Sequence, residues 1–193
     1  MTTSPNSKPR LGILIASTRP GRAGEPIAHW FAERARKHDG FEVVIEDLKA
    51  RNLPLLDEPK HPRFRDYTHE HTKAWSATVS SWDAFAIVTP EYNFGSPPAL
   101  INALDFLYQE WNYKPACFVS YGGASAGTRS LVMTRQILST LKVVPVVEAV
   151  NIPFFNLHLK DGVFSPPDPQ EQAIKPMLDE TLRWANALHT LRS

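Results

Sequence analysis

Five short apolar stretches recur along the chain, and a segment with helical periodicity follows each of them. The predicted strands are residues 11–16, 42–48, 84–89, 116–121 and 145–152, and the predicted helices are residues 25–38, 66–81, 98–109, 126–141 and 169–190. The first, third and fourth strands are apolar without alternation, as parallel strands are when helices cover both faces of a sheet. The pattern therefore predicts an open α/β fold whose central strands are buried on both faces.

Two segments interrupt this alternation. Residues 49–65, which we call the flap, carry several prolines and mixed charge; this segment is too irregular for a helix and long enough for a functional loop. Residues 153–168 form a second irregular segment before the last helix. No repeat or linker divides the chain, so we expect one domain over residues 10–190, preceded by a flexible tail over residues 1–9.

The helix predicted after the third strand is apolar around nearly its whole circumference. Its apolar residues are Leu100, Ile101, Ala103, Leu104, Phe106, Leu107, Tyr108 and Trp111. A helix of this kind must be buried on more than one side. The second burying surface is either another copy of the chain or a large loop folded across the helix, and of the two we favour another copy.

The composition excludes several classes of function. Of the 193 residues 42% are hydrophobic and 21% charged, and no stretch approaches the roughly 18 apolar residues of a membrane span. The 21 basic and 20 acidic residues leave a net charge of +1, so we expect no binding to nucleic acid or to a membrane surface. The first residues lack the apolar stretch of a secretory signal, and we expect a cytoplasmic location.

Cysteine and histidine do not indicate a reactive or metal-binding site. Cys117 lies inside an apolar strand, and we interpret it as a small buried hydrophobe rather than a catalytic thiol. His69 and His71 are two residues apart in a predicted helix, where their side chains would point to different faces and chelate a metal poorly. We therefore expect no metal site.

The turn after the first strand carries groups suited to a phosphate. In an open parallel sheet, ligands bind beyond the carboxyl ends of the strands. Here Ser17, Thr18, Arg19 and Arg22 are followed by the start of a helix, and helix N–H groups and arginine both favour an anion. A capped helix with solvated arginines explains this turn equally well. The turn does not contain the G-x-G-x-x-G pattern of dinucleotide-binding proteins.

The turns after the third and fourth strands suit a flat heteroaromatic ring. Tyr92 and Phe94 offer apolar faces, and Asn93 can meet a polar ring edge. Gly122 and Gly123 let the backbone approach a planar ligand and present N–H groups to it. The later glycines do not form a P-loop, because the lysine is missing. Taken together, the three turns predict a mononucleotide with a fused heterocycle.

These residues resemble the NADPH-dependent FMN reductase family, flavodoxin-like proteins that include quinone, chromate and azo-dye reductases. The resemblance rests on Ser-Thr-Arg at residues 17–19, Pro-Glu-Tyr-Asn at 90–93 and Ser-Tyr-Gly-Gly at 120–123, and it extends over about residues 10–150. It implies a flavodoxin-like three-layer sandwich with a five-stranded parallel sheet of order 2-1-3-4-5. It also implies a homodimer, often paired into a homotetramer.

The resemblance further implies which residues bind the cofactor FMN. Ser17, Arg19 and Arg22 would hold the phosphate, although the departure of residues 20–24 from many relatives leaves open whether Arg22, Gly24 or Glu25 touches it. The ring system and ribityl chain would be held by Pro90, Glu91, Tyr92, Asn93, Tyr121, Gly122 and Gly123. We assign Glu91 to binding only, as a solvated or helix-N-terminal carboxylate.

The implied activity passes hydride from NADPH or NADH through FMN to a small-molecule electron acceptor such as free flavin, a quinone or an azo compound. The cofactor carries the chemistry, and we expect no catalytic side chain. The N–H groups of Gly122 and Gly123 would stabilise negative charge on the reduced ring. The alternatives are a flavodoxin-like electron carrier, whose acidic docking surface this balanced chain lacks, and a flavin-free interaction module of the same fold.

Overall fold

A computed structural model of the protein describes residues 8–192, so most of the predicted N-terminal tail lies outside the described residues. Five parallel strands form a sheet of order β2-β1-β3-β4-β5, which confirms the predicted fold class. The strands are β1 (Arg10–Ile15), β2 (Glu42–Asp47), β3 (Ala84–Pro90), β4 (Pro115–Tyr121) and β5 (Val144–Ile152). β1, β3 and β4 are buried along almost their entire length, as their uninterrupted apolar sequences predict.

Helices cover both faces of the sheet and enclose two apolar cores. The helices are α1 (Gly24–His38), α2 (Leu48–Arg51), α3 (Glu70–Ser80), α4 (Pro98–Asp105), α5 (Thr128–Thr140) and α6 (Asp168–Leu188). α1 and α6 pack with one set of strand side chains, and α3, α4 and α5 pack with the opposite set. Alternate residues of β1 divide between the two cores, Ile13 on the first side and Leu14 on the second, because successive strand side chains point to opposite faces.

The irregular segments contain more structure than the sequence indicates. The one-turn helix α2 occupies the start of the flap, where we expected no helix; Asp47 caps it by accepting from the Lys49 N–H at 2.9 Å. A 3-10 turn, Pro62–Phe64, lies near the end of the flap. The segment before α6 holds a short antiparallel hairpin of β6 (Leu159–Lys160) and β7 (Val163–Phe164). Short-range capping and pairing of this kind leave little trace in hydrophobic periodicity.

The flap is hydrogen-bonded to α4 within a single chain. Asn102 of α4 donates to the Pro54 carbonyl at 2.7 Å and accepts from the Leu56 N–H at 2.9 Å. The apolar residues Leu100, Leu104, Phe106, Leu107 and Trp111 are buried without any partner chain. The flap is therefore one surface that contacts this helix. Ile101 and Tyr108 are only partly buried, and a second copy of the chain packed against them stays a prediction.

The expected arrangement of the histidine pair is wrong. His69 precedes α3 as its extended N-cap residue rather than lying inside the helix. Its ring therefore stacks on that of His71, with centroids 5.1 Å apart, and His71 Nε2 lies 2.9 Å from Asp57 Oδ1 of the flap. Within residues 8–192 no group of three or more His, Cys, Asp or Glu could hold a metal ion. None of the helices described is long and apolar enough to cross a membrane.

Candidate functional site

The turns after β1, β3 and β4 meet at the carboxyl edge of the sheet and are joined by side-chain hydrogen bonds. Tyr121, at the end of β4, donates from its hydroxyl to Ser17 Oγ in the first turn at 3.1 Å. Ser125, in the turn after β4, donates to the carboxylate of Glu91 in the turn after β3 at 3.1 Å. The turn after β4 is thus bonded to both of the others. The three turns form one continuous surface, as the parallel topology predicts.

Arg22 of the first turn is engaged within the protein. Its guanidinium donates to the Ser17 carbonyl at 2.8 Å and to Asp47 Oδ1 at 2.6 Å. The hydrogen bond to Asp47 raises the pKa of Arg22 despite its burial. These contacts hold the first turn against the end of β2, and the Arg22 side chain is buried between them. Arg19, by contrast, is exposed and available to an anion from outside.

Gly24, at the start of α1, packs closely against two hydroxyl groups. A Cβ at this position would lie 2.4 Å from Ser17 Oγ and 2.7 Å from the Tyr121 hydroxyl oxygen, closer than real contacts allow. Tyr121 is buried against Phe155, with ring centroids 5.3 Å apart, and this burial raises the pKa of its hydroxyl. The side chain of Tyr121 therefore reaches the first turn, where a phosphate was predicted, and stays protonated as a hydrogen-bond donor.

The turn after β3 is a tight hairpin with an exposed aromatic residue. Tyr92 and Gly95 exchange two backbone hydrogen bonds of 3.0 and 2.9 Å. Asn93 and Phe94 between them have positive φ angles of 49° and 68°, a conformation that asparagine tolerates better than phenylalanine. Phe94 is 68% exposed, and the Arg129 guanidinium carbon lies 3.7 Å from its ring centroid. This cation–π contact supports an otherwise unfavourable backbone conformation.

Glu91 connects the turn after β3 to the first turn of α5. Its carboxylate accepts from Arg129 Nε at 2.6 Å, from the Arg129 backbone N–H at 3.2 Å and from Ser125. Burial opposes ionisation of Glu91, but these hydrogen bonds, led by the one from Arg129, leave its pKa below the usual value. Glu91 is therefore an ionised carboxylate at a helix N-terminus, which is one of the two environments that we expected for it.

The two glycines after β4 differ in their backbone hydrogen bonds. The Gly122 N–H donates to the Ile152 carbonyl at 3.2 Å, so it is not free for a ligand as the sequence suggested. The Gly123 N–H donates to no group among residues 8–192, and a Cβ added at Gly123 would meet nothing within 4 Å. Ser120 Oγ, directly before them, is bonded to the Ala126 carbonyl and to Asn151. Of the two glycines, Gly123 is thus the one whose backbone N–H has no partner among the described residues.

Several residues that shape the site did not follow from the sequence. Asp47 and Asn151 come from the ends of β2 and β5, outside the three turns, and carry no local motif. The role of Arg129 could have been suspected, because it lies in the first turn of a predicted helix and close to a predicted ligand turn. Pro90 forms the buried end of β3, opposite Tyr121 in the register. Pro90 therefore contributes to the site by fixing the backbone at the end of β3.

The first and third of these turns fit FMN. Arg22 Nε is buried and has no hydrogen-bond partner among the described residues, so the first turn retains an unsatisfied donor. The hydroxyls of Ser17 and Tyr121 lie beside Gly24 at the positive end of α1, which is the chemistry that a phosphate requires. The open backbone at Gly123 suits the polar edge of a planar ring.

Comparison with known proteins agrees with this geometry. The family model described as NADPH-dependent FMN reductase matches residues 9–156. An NAD(P)H-dependent FMN reductase of Schizosaccharomyces pombe is 38% identical over 149 residues, covering 75% of this chain and 74% of the relative. A probable NADPH:quinone oxidoreductase of Oryza sativa subsp. japonica is 33% identical over 143 residues, covering 70% of this chain and 66% of the relative.

A solved structure extends the agreement to the fold. The flavoenzyme NAD(P)H:(acceptor) oxidoreductase of Paracoccus denitrificans superposes with a TM-score of 0.74 at 18% identity, covering 93% of this chain and 98% of that one. At this identity the likeness concerns the fold alone. The family match and the sequence relatives carry the assignment. The chain therefore belongs to the NADPH-dependent FMN reductase family, and it is an NAD(P)H-dependent oxidoreductase with FMN as its cofactor.

Proposed function

We propose that the protein passes hydride from NADPH or NADH through FMN, bound across the three turns, to a quinone-type acceptor. The observation that carries this proposal is the hydrogen-bonded connection of the three turns at the carboxyl edge of the sheet. That connection gives one site with a phosphate end and a ring end. When bound, FMN supplies a ring that accepts hydride from the nicotinamide and passes electrons to the acceptor.

The phosphate end is formed by Ser17, Arg19 and the first N–H groups of α1. The Ser17 hydroxyl accepts from Tyr121 at 3.1 Å, which leaves its own proton free to donate to a phosphate oxygen. Arg19 supplies charge from the exposed side of the turn. Arg22 positions the turn through its hydrogen bond to Asp47.

The ring end is formed by the turns after β3 and β4. The backbone of Tyr92 and Asn93 lies in a fixed hairpin, which offers a rigid surface to one side of a planar ring. The Gly123 N–H is the donor available to its polar edge, where negative charge develops on reduction. We expect no side chain to transfer a proton, and Glu91 is engaged in hydrogen bonds with Ser125 and Arg129.

The acceptor follows from the exposed surface around the ring end. Phe94 is exposed beside the cationic Arg129, and together they suit a flat, electron-poor and partly negative molecule. A quinone has these properties, and the rice relative is named as a quinone oxidoreductase. Free flavin and azo compounds share the flat shape and are the other members of this substrate class.

The proposal includes a homodimer or homotetramer located in the cytoplasm. Its support is the family resemblance together with exposed apolar side chains next to the site. Val132 and Met133 of α5 are exposed, and the Met133 sulfur lies 3.3 Å from the Ser96 N–H in the turn that carries Phe94. A second copy packed there would shield the ring end from water. Light scattering coupled to gel filtration measures the assembly directly, and a monomer at micromolar concentration would contradict this part.

The function is tested by following the visible flavin absorbance of the FMN-loaded protein while NADPH or NADH is added without oxygen. Rapid bleaching, followed by recovery when a quinone is added, is the expected result. FMN that binds but is not bleached by either nicotinamide would favour the electron carrier instead.

An Arg19→Gln variant adds a residue-level test of the phosphate end. We expect it to weaken FMN binding about tenfold, the contribution of one charge-assisted contact. Arg36→Gln at the far end of α1 is the matched control, because Arg36 is exposed and remote from the three turns. Equal FMN affinity in both variants would argue against the proposed phosphate site.

A further inference from the structure

A cleft that the three turns do not include lies between the flap and α4. It has a volume of about 400 Å³, within the range of small-molecule sites. Thr18, next to Ser17 of the first turn, lines it on one side, and Pro98 at the start of α4 lines it on the other. The cleft therefore opens at the same edge of the sheet as the FMN site and directly beside it.

The walls of the cleft combine apolar and polar side chains. Leu48, Leu53 and Leu55 line it from the flap side, and Pro98 and Ala99 line it from α4. Leu55 is 83% exposed, so its side chain is available to contact a ligand. A flat apolar group inserted between Leu55 and Pro98 would remove both from water and gain the corresponding hydrophobic free energy.

The polar lining of the cleft carries a single positive charge. Lys49 is the charged residue on its surface, accompanied by Thr18 and Asn52. The Lys49 ammonium forms no hydrogen bond or ion pair with any side chain of residues 8–192, and the nearby Asp47 is paired with Arg22. Asp47 interacts electrostatically with Lys49, but the lining itself carries no carboxylate, so the cleft attracts a ligand that has both apolar and anionic groups.

The flap wall is held in place before any ligand arrives. Asn102 uses both ends of its amide to bind the Pro54 carbonyl and the Leu56 N–H, at 2.7 and 2.9 Å. Because Leu53 and Leu55 flank Pro54, these two bonds fix the apolar wall relative to α4. A preformed cleft loses less conformational entropy on binding than a mobile loop does.

We propose that this cleft binds the adenosine 2′-phosphate end of NADPH, with the adenine between Leu55 and Pro98 and the 2′-phosphate beside Lys49. The inference rests on the proposed function, which requires a nicotinamide nucleotide at the neighbouring ring end. Lys49 then determines the preference for NADPH over NADH, because the two nucleotides differ only in the 2′-phosphate. An anionic aromatic acceptor shares this chemistry, and the test separates the two ligands.

The direct test is calorimetric titration of the FMN-loaded protein with adenosine 2′,5′-bisphosphate, which needs no turnover. We expect Lys49→Gln to weaken this binding about tenfold, as the loss of one charge-assisted contact to a phosphate does. Steady-state kinetics on the same variant should show a KM for NADPH raised by a similar factor and a KM for NADH unchanged. Leu55→Ser should raise both KM values, because both nucleotides carry adenine.

Lys60→Gln is the matched control, since Lys60 is a flap lysine outside the cleft that pairs with Asp66; it should behave as the unmodified protein. Unchanged bisphosphate affinity in Lys49→Gln would overturn the inference, as would variants of Lys49 and Leu55 that change only the KM of the acceptor. Failure of both nicotinamides to bleach FMN would instead contradict the proposed function. Normal bleaching with unchanged bisphosphate affinity would contradict the adenosine site alone.

Discussion

Replacing Gly24 by alanine tests the phosphate end of the site most directly. The added Cβ would lie 2.4 Å from Ser17 Oγ and 2.7 Å from the Tyr121 hydroxyl, with Ile15 Cγ2 at 3.3 Å. Ser17 can turn its hydroxyl away only by breaking the 3.1 Å hydrogen bond from Tyr121. The Tyr121 ring is buried and cannot swing into solvent. The substitution therefore strains a packed cluster rather than filling an empty one.

The expected cost of Gly24→Ala is the difference between two opposing effects. Overpacking of a buried site costs about 1–3 kcal/mol, and this range includes the lost hydrogen bond between two buried hydroxyls, worth about 1 kcal/mol. The higher helix propensity of alanine regains up to about 1 kcal/mol of the free energy of unfolding inside a helix, and less at the first helical position. We expect Gly24→Ala to lower the free energy of unfolding by about 1–2 kcal/mol. FMN binding should weaken as well, because relief of this strain displaces the Ser17 hydroxyl that is proposed to donate to the phosphate.

Urea unfolding measures this cost and its cause when the unmodified protein is compared with Gly24→Ala, Tyr121→Phe and the double variant. In a Tyr121→Phe background the hydroxyl at 2.7 Å is gone and Ser17 is free to turn, so Gly24→Ala should cost about 1 kcal/mol less than in the unmodified protein. Gly123→Ala is the matched control, because a Cβ there meets nothing within 4 Å. The reasoning is refuted if Gly24→Ala is neutral, or if it costs the same in both backgrounds.

Three further predictions concern the surroundings of the site. Glu91→Gln should lower the free energy of unfolding by about 1–2 kcal/mol at pH 7. Because the pKa of Glu91 in the folded protein is lowered, this contribution is present above the usual pKa of 4.5 and is lost as the pH falls through the folded pKa. Urea unfolding that shows no cost at pH 7, or the same cost at pH 7 and pH 3.5, would contradict the role of Glu91. Cys117 is buried and its pKa is raised to about 12, so it should resist a disulfide reagent at neutral pH until the protein is unfolded; a fast reaction in the native protein would exclude this burial. Asn102→Ala removes both anchors of the flap and should make the flap cleavable by trypsin in limited proteolysis; equal resistance would show that these bonds do not hold it.

The sequence determined those features that depend on neighbouring residues. Uninterrupted apolar stretches at β1, β3 and β4 are sufficient to predict buried parallel strands, since that pattern follows from burial on both faces. Pro-Glu-Tyr-Asn at residues 90–93 and the glycines after β4 sufficed to locate two turns of the site and the family resemblance. The predicted helix boundaries are less accurate. The structure has α3 begin at Glu70, after an extended His69 that no periodicity distinguishes from the helix.

Only the tertiary structure decided which groups are already engaged with one another. Arg22 resembles a phosphate ligand in the sequence, but Asp47, which lies 25 positions away, binds it. Gly122 resembles an open donor, but the Ile152 carbonyl of β5 takes its N–H. The apolar α4 suggested contact with a second surface, and the flap supplies one through hydrogen bonds to Asn102. In each case the partner comes from a distant segment with no motif of its own, and only the packing of the complete chain brings the two together.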